Sequence, residues 1–311
     1  MEGNVTRALI TGISGFIGRH LQEHLLNKGW QVYGFDVRLS DANVFIGDLA
    51  DRAALSQAIV ESSPDVIFHL AGIIKSSDAE AYFRANLFGT LSLLDVVLEG
   101  KTRPKVILAS SSAVYGLATG SAPITERSAL HPVTEYGISK VAQELAGLRY
   151  HYEFGLHVIV VRMFNLLGPG QSPKLACSAF AHQIALAEVT DQTEIVTGNL
   201  EAQRDFVDVR DAVCAFGMIA EHGQAGQVYN VCSGRAVAIQ ECLSEMLSQS
   251  RKHLSTRVDA ARVQKNDIPR QAGSYQKLHK ATGWRPKISL KQSLSDMLND
   301  WRTRVKEVES K

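Results

Sequence analysis

The sequence predicts an α/β protein: a doubly wound parallel sheet with a smaller C-terminal lobe interleaved with it. Two observations carry this. From Val5 to Val161 short, β-rich apolar runs alternate with longer helical patterns, and a glycine-rich turn follows the first run. Strands that are apolar nearly throughout belong to a parallel sheet covered on both faces, because an exposed face would show polar residues at every second position. The chain has 311 residues, 45% of them hydrophobic. It can therefore bury a sizeable core in one large or two smaller domains.

The runs are RALITG, QVYGFD, NVFIG, DVIFHLAG, KVILAS and HVIVVRMF, with helices predicted near 16–28, 51–62, 79–99 and 134–153. After Asn165 the rhythm changes. GPGQSPK is loop-like, and then come a helix over Ala176 to Ala187, a strand over Glu194 to Thr197, a helix over Val209 to Glu221, a strand at QVYNVCS, and helices near 237–251 and 290–304. No Gly/Ser/Pro-rich linker separates the halves. The expected division is a first domain over 1–165, to which segments near 205–235 return, and a lobe made mainly of 166–311.

Lys and Arg number 33 against 32 Asp and Glu, without long runs of one sign. This argues against nucleic acid or a membrane surface as partner. Cys177, Cys214, Cys232 and Cys242 show no C-x-x-C spacing, so neither a metal site nor a disulfide framework is expected. The start, MEGNVTRALITG, has no apolar core behind a basic leader, and no stretch approaches the roughly 18 uncharged apolar residues of a membrane helix. A cytoplasmic location is expected.

ALITGISGFIGRHL sets Gly12, Gly15 and Gly18 in T-G-x-x-G-x-x-G spacing between a strand and a helix. Without side chains there, backbone N–H groups can approach a pyrophosphate, and the helix opening at Phe16 and Ile17 adds its positive end. Asp36 closes the second strand, where a carboxylate accepts from an adenine-ribose hydroxyl and repels a 2′-phosphate. NAD is thus favoured, while Arg38 keeps NADP open through guanidinium–phosphate pairing. Asp48 and Leu49 in GDL, and Leu70, Ala71 and Gly72 in HLAG, lie at later strand ends, where open parallel sheets bind ligands. Asp48 is placed for the adenine amino group or as N-cap of the helix at DRAAL. Asn86, within the helix at RANLFGT, is read either as holding backbone near a nicotinamide or as a structural amide.

In EYGISK, Tyr136 and Lys140 share one helix face. An ammonium beneath a phenol lowers its pKa from about 10, which makes a usable proton donor and acceptor. The preceding strand ends in three serines, Ser110, Ser111 and Ser112.

TGISGFIG, HLAG, the serine-rich strand end, YGISK, RMFNLLGPGQ and RDFVDVRD, in this order, resemble the extended short-chain dehydrogenase/reductase family, the NAD-dependent epimerase/dehydratase group with a Rossmann domain. FNLLGPGQ, GNLEAQRDFVDVRD, GQVYNVCSG and TGWRPKISLKQSL are most similar to its GDP-4-keto-6-deoxy-D-mannose reductase branch. The resemblance implies Ser111 as the catalytic hydroxyl beside Tyr136 and Lys140. Sugar-nucleotide 4,6-dehydratases carry Asp-Glu at the next two positions. Here these are Ser112 and Ala113, which cannot exchange the proton and hydroxide of a dehydration, and Ser112 faces the substrate instead.

It further implies that Asn165 touches a substrate diphosphate and that Arg204 pairs with that diphosphate or the nucleotide ribose. Asp205 and Asp208 read as structural caps for the helix at Val209. Arg262 and Arg270, flanking KNDIP, stand in for a nucleotide-anchoring arginine. The implied reaction moves hydride from NAD(P)H to C4 of a nucleotide-diphosphate 4-keto-6-deoxyhexose; the alternative is an NAD-dependent nucleotide-sugar 4-epimerase using the same three residues. The helices at 79–99 and 134–153 are expected to pair across a two-fold axis in a homodimer.

Overall fold

The computed structural model describes residues 5–38, 43–117, 122–262 and 268–309. Positions 1–4 of the leader reading and 263–267, which include most of KNDIP, lie outside the described residues. The chain divides into two units: Met1–Met163 with Val213–Val231 and Tyr275–Trp284, and Phe164–Ala212 with Cys232–Ser274 and Arg285–Lys311.

In chain order the elements to Met163 are β1 (Arg7–Thr11), α1 (Phe16–Asn27), β2 (Gln31–Asp36), β3 (Val44–Ile46), α2 (Arg52–Ser62), β4 (Val66–His69), α3 (Ala79–Tyr82), a π-helical turn (Phe83–Phe88), α4 (Gly89–Glu99), β5 (Lys105–Ser111), α5 (Glu135–Phe154) and β6 (Val158–Met163). Local chemistry sets the helix ends. Asp51 caps α2 by accepting from the Ala53 and Ala54 N–H groups, while exposed Asp48 accepts from Ala50 N in the preceding turn. The cap therefore falls three residues later than the alternative offered for Asp48. Thr134 caps α5 through Gly137 N at 3.0 Å, and Gly155, at φ +70°, ends it.

The remaining elements are β7 (Asn165–Leu167), α6 (Ala176–Val189), β8 (Glu194–Thr197), β9 (Gln203–Asp208), α7 (Val209–His222), β10 (Val228–Val231), β11 (Ala236–Ala238), α8 (Ile239–Leu247), β12 (Ser255–Val258), α9 (Gln276–Thr282) and α10 (Leu290–Glu309). In the first unit the described residues form a seven-stranded, all-parallel sheet in the order β10-β6-β5-β4-β1-β2-β3. Leu9, Ile67, Val106, Leu108 and Val158 pack one face against α2, α4 and α5. On the other face Phe68 meets Phe216 of α7 edge-on, and Gly217 abuts His24 of α1. Both faces are covered, which is why the strands lack alternation.

Taken together, Ala79–Glu99 is long and apolar enough to cross a membrane by length and composition, contrary to the expectation that no stretch is. Its apolarity has another use: Leu93, Leu94, Val96 and Val97 are core residues of the first unit.

The second unit has its own core, in which α6, α8 and α10 interdigitate through Phe180, Ile184, Leu243, Met246, Leu294 and Met297. Trp301 Nε1 donates to Ser178 Oγ at 2.9 Å within it. Its small sheets are β11-β9-β7 and β12-β8.

Beneath the serine-rich strand end lies a buried ion pair. Arg162 Nη2 donates to Glu144 Oε2 at 2.6 Å, with side chains 5% and 1% exposed. Ser110 Oγ also donates to Glu144. Arg162 Nη1 reaches Tyr115 Oη at 3.0 Å, and Tyr115 donates to Asn230 Oδ1 at 2.6 Å. The network thus ties α5, β6 and β10 to the end of β5. Arg162→Met leaves the carboxylate buried and unpaired, so urea denaturation should show a loss of about 3–5 kcal/mol, much of it recovered in Arg162→Met/Glu144→Met.

Candidate active site

Parallel register brings the carboxyl ends of β2, β1 and β4 level, Thr11 pairing with Phe35 on one side and His69 on the other, while β5, whose Leu108 pairs with His69, runs on to Ser111. The strand order reverses between β1 and β4, the crevice where such sheets take ligands. Gly12, Asp36, Leu70 to Gly72 and Ser111 all follow or close strands at this edge.

The glycine turn has the shape its spacing predicts. Gly12 has φ +75°, and a Cβ there would stand 2.8 Å from Ala71 Cα, so the turns after β1 and β4 touch only because the side chain is missing. A Cβ at Gly18 would lie 2.4 Å from the Gly12 carbonyl oxygen, and one at Gly15 3.1 Å from it. Helix α1 has no side-chain cap, and Phe16 and Ile17 supply its first N–H groups. This glycine-lined helix start fits a pyrophosphate.

Asp36 closes β2, 9% exposed. Its Oδ2 accepts from Ser14 N at 3.0 Å and Ser14 Oγ at 2.7 Å, and its Oδ1 from Arg38 N at 3.3 Å. Sequence reasoning missed Ser14. The signal was available: a hydroxyl inside T-G-x-S-G, on the loop that must meet the end of β2. Arg38 is exposed; Leu49 is buried and packs on Gly89.

Ser111 is the last residue of β5, and its Oγ accepts from Ala113 N at 3.2 Å. Ser112 is buried and opens the short 3-10 turn Ser112–Val114. Tyr136, in the first turn of α5, is hydrogen-bonded to Ser111. Lys140, one turn on and 6% exposed, donates to Ala109 O at 2.9 Å and Gln143 Oε1 at 2.8 Å. The structure thus brings Ser111, Tyr136 and Lys140 together.

One expectation is corrected. Burial raises the Tyr136 phenol above its ordinary pKa, only partly offset by the Ser111 hydrogen bond. The Lys140 ammonium stands 6.0 Å from the Tyr136 ring centre, held by other acceptors, so the expected lowering by the lysine is not seen. Burial pulls Lys140 itself down to about 8, with Glu144 opposing.

Asn86 lies in the π-helical turn and clasps backbone: its Oδ1 accepts from Ile73 N at 3.0 Å, and its Nδ2 donates to Ile73 O and to Ser139 Oγ. The amide is structural, and it holds the segment after Gly72. Beneath it runs a polar chain that sequence reasoning also missed, through Thr11, His69, Thr90 and Gln143 to Lys140.

In the second unit, Asn165 Nδ2 donates to Asp205 O at 3.0 Å. Arg204 reaches the Ile268 carbonyl, and Gln203 bridges Arg270, so the two arginines occupy neighbouring segments. Arg262 instead donates to Val196 O at 3.1 Å. Asp208 Oδ1 accepts from Arg210 N as a cap for α7, whereas Asp205 holds the Ser233, Gly234 and Gly273 N–H groups, a clasp between loops rather than a cap.

Comparison with known proteins agrees with this geometry. Residues 9–297 match the GDP-mannose 4,6 dehydratase family. The chain is 35% identical over 311 residues to GDP-6-deoxy-D-mannose reductase of Pseudomonas aeruginosa, covering 97% of this chain and 99% of that one. Among solved structures, RMD from Pseudomonas aeruginosa complexed with NADPH superimposes with a TM-score of 0.87 at 34% identity, over 96% of this chain and 100% of that one. UDP-glucose 4-epimerase from Thermus thermophilus, complexed with NAD, gives 0.86 at 26% identity, over 96% and 99%. The chain belongs to the GDP-mannose 4,6 dehydratase family of extended short-chain dehydrogenases/reductases.

Proposed function

We propose that this chain is an NAD(P)-dependent reductase of a nucleotide-diphosphate 4-keto-6-deoxyhexose such as GDP-4-keto-6-deoxy-mannose. The observation that carries it is a complete Ser111–Tyr136–Lys140 set with Ser112 and Ala113 where a dehydratase needs an acid and a base. The cofactor supplies the hydride for C4. Tyr136, kept protonated by burial, gives its proton to the oxygen at C4, and Ser111 hydrogen-bonds and orients that oxygen. Lys140 holds the cofactor ribose and supplies positive charge beside the phenol.

Gly12, Gly15, Gly18 and the start of α1 hold the pyrophosphate, and Asp36 the adenine ribose. Asp36 favours NAD, and exposed Arg38 leaves NADP accessible. Asn165, Arg204 and Arg270 are assigned to the nucleotide diphosphate, a planar guanidinium being well matched to phosphate oxygens. The 4-epimerase is the second reading, favoured by the likeness to UDP-glucose 4-epimerase.

We assign the protein to the cytoplasm as a homodimer. Ile138, Leu145 and Tyr152 recur every seven residues on α5, 45%, 58% and 75% exposed, and Phe88 of the π-helical turn is 56% exposed. A solvent-facing apolar stripe on one helix suits a two-fold partner.

With a panel of GDP-, dTDP- and UDP-4-keto sugars, one member should consume NADH or NADPH stoichiometrically. Tyr136→Phe should slow that by about 10²–10⁴-fold. Turnover without added cofactor, by protein that copurifies with NAD, selects the epimerase. Lys140 is an ammonium below about 8 and neutral above it, so kcat/KM should fall as pH rises through about 8; a level profile there contradicts its role. Sedimentation should find Ile138→Asp/Leu145→Asp as a monomer and the wild type as a dimer.

A further inference from the structure

Thr90 lies on α4, fully buried, and its hydroxyl donates to the Asn86 carbonyl at 2.7 Å. With its one proton spent, Thr90 Oγ1 can only accept. The 2.8 Å contact from Gln143 therefore has to come from Nε2, which turns Gln143 Oε1 toward Lys140 Nζ, also at 2.8 Å. The same count settles His69. Its Nε2, 2.8 Å from Thr90 Oγ1, is the donor, and its Nδ1 accepts from Thr11 Oγ1 at 2.7 Å. Thr11 Oγ1 in turn accepts from Ala71 N at 3.3 Å. Every proton in this chain has one placement. Burial and the neighbouring Lys140 charge hold His69 neutral, down to about 3, so that placement does not change near neutral pH.

We infer that Gln143 is a positioning residue for Lys140. Thr90 and His69 orient its amide, and the chain through Thr11 to Ala71 N fixes the ammonium relative to the turn that faces the glycine loop. The inference rests on the dehydrogenase reading of the site. It goes beyond it by assigning a role to a side chain that touches no ligand. Its orienting partners are fully buried, and Gln143 itself is 1% exposed. The titratable groups around Lys140 are Tyr136 and Glu144 on its own helix and His69 from β4, with the Ala109 carbonyl from β5 as its other acceptor.

The test is NADPH binding to the whole protein, followed by nicotinamide fluorescence across pH, with melting temperature recorded beside it. An acceptor stabilises the ammonium, so in Gln143→Leu the alkaline loss of affinity should begin at lower pH. In the near-isosteric Gln143→Glu the Thr90 hydroxyl turns its proton from the Asn86 carbonyl to the second carboxylate oxygen, the carboxylate meets the ammonium, and the loss should begin about one pH unit higher. A merely structural glutamine would shift melting temperature without moving these limbs in opposite directions. If Gln143→Leu fails to fold, Gln143→Glu alone carries the test. In the wild type, ¹⁵N NMR of labelled histidine should find His69 as the Nε2–H tautomer. Wild-type pH dependence in the variants, or an Nδ1–H tautomer, overturns the inference. Wild-type protein that binds neither NADPH nor NADH overturns the dehydrogenase reading, and the inference with it.

Discussion

An ammonium among apolar strands is tolerated only when its protons meet acceptors, and much of the first unit follows from meeting that condition for Lys140. Its acceptors come from β5, through Ala109, and from α5 itself, through Gln143. Gln143 is in turn oriented from α4, and α4 from β4 and β1 through His69 and Thr11. The elements that carry the glycine loop and Tyr136 are thereby joined by directed hydrogen bonds as well as by packing.

The π-helical turn belongs to the same arrangement. One extra residue per turn there lets Asn86 face Ile73 and Ser139 while Thr90, four residues on, faces His69 and Gln143. A residue unfavourable in a helix interior is used as a bracket between the segment after β4 and the helix bearing Tyr136. Asp36 does comparable work at the end of β2, where Ser14 ties the glycine loop to it.

Chemistry and fold are separable here. The family model is that of a dehydratase, yet Ser112 and Ala113, which follow Ser111, offer no ionisable group.

The parallel sheet, its first helices, the glycine turn and the Tyr136–Lys140 pair were legible in the chain, because strand apolarity, T-G-x-x-G-x-x-G and Y-x-x-x-K spacing are local signals, whereas the choice of Ser111 among three serines came from the family resemblance. The three-residue strands β7 and β11 were not, since strands so short exist only against a partner such as β9. Asp205 read as a helix cap because its neighbour is one, but its partners Ser233 and Gly273 are far along the chain. The sequence by itself determined which groups reach the sheet's edge, because helical and strand periods fix faces. Only the tertiary structure decided the state of those groups: burial raised Tyr136, lowered Lys140 and neutralised His69, and the path from Thr11 to Lys140 crosses four elements no local pattern connects.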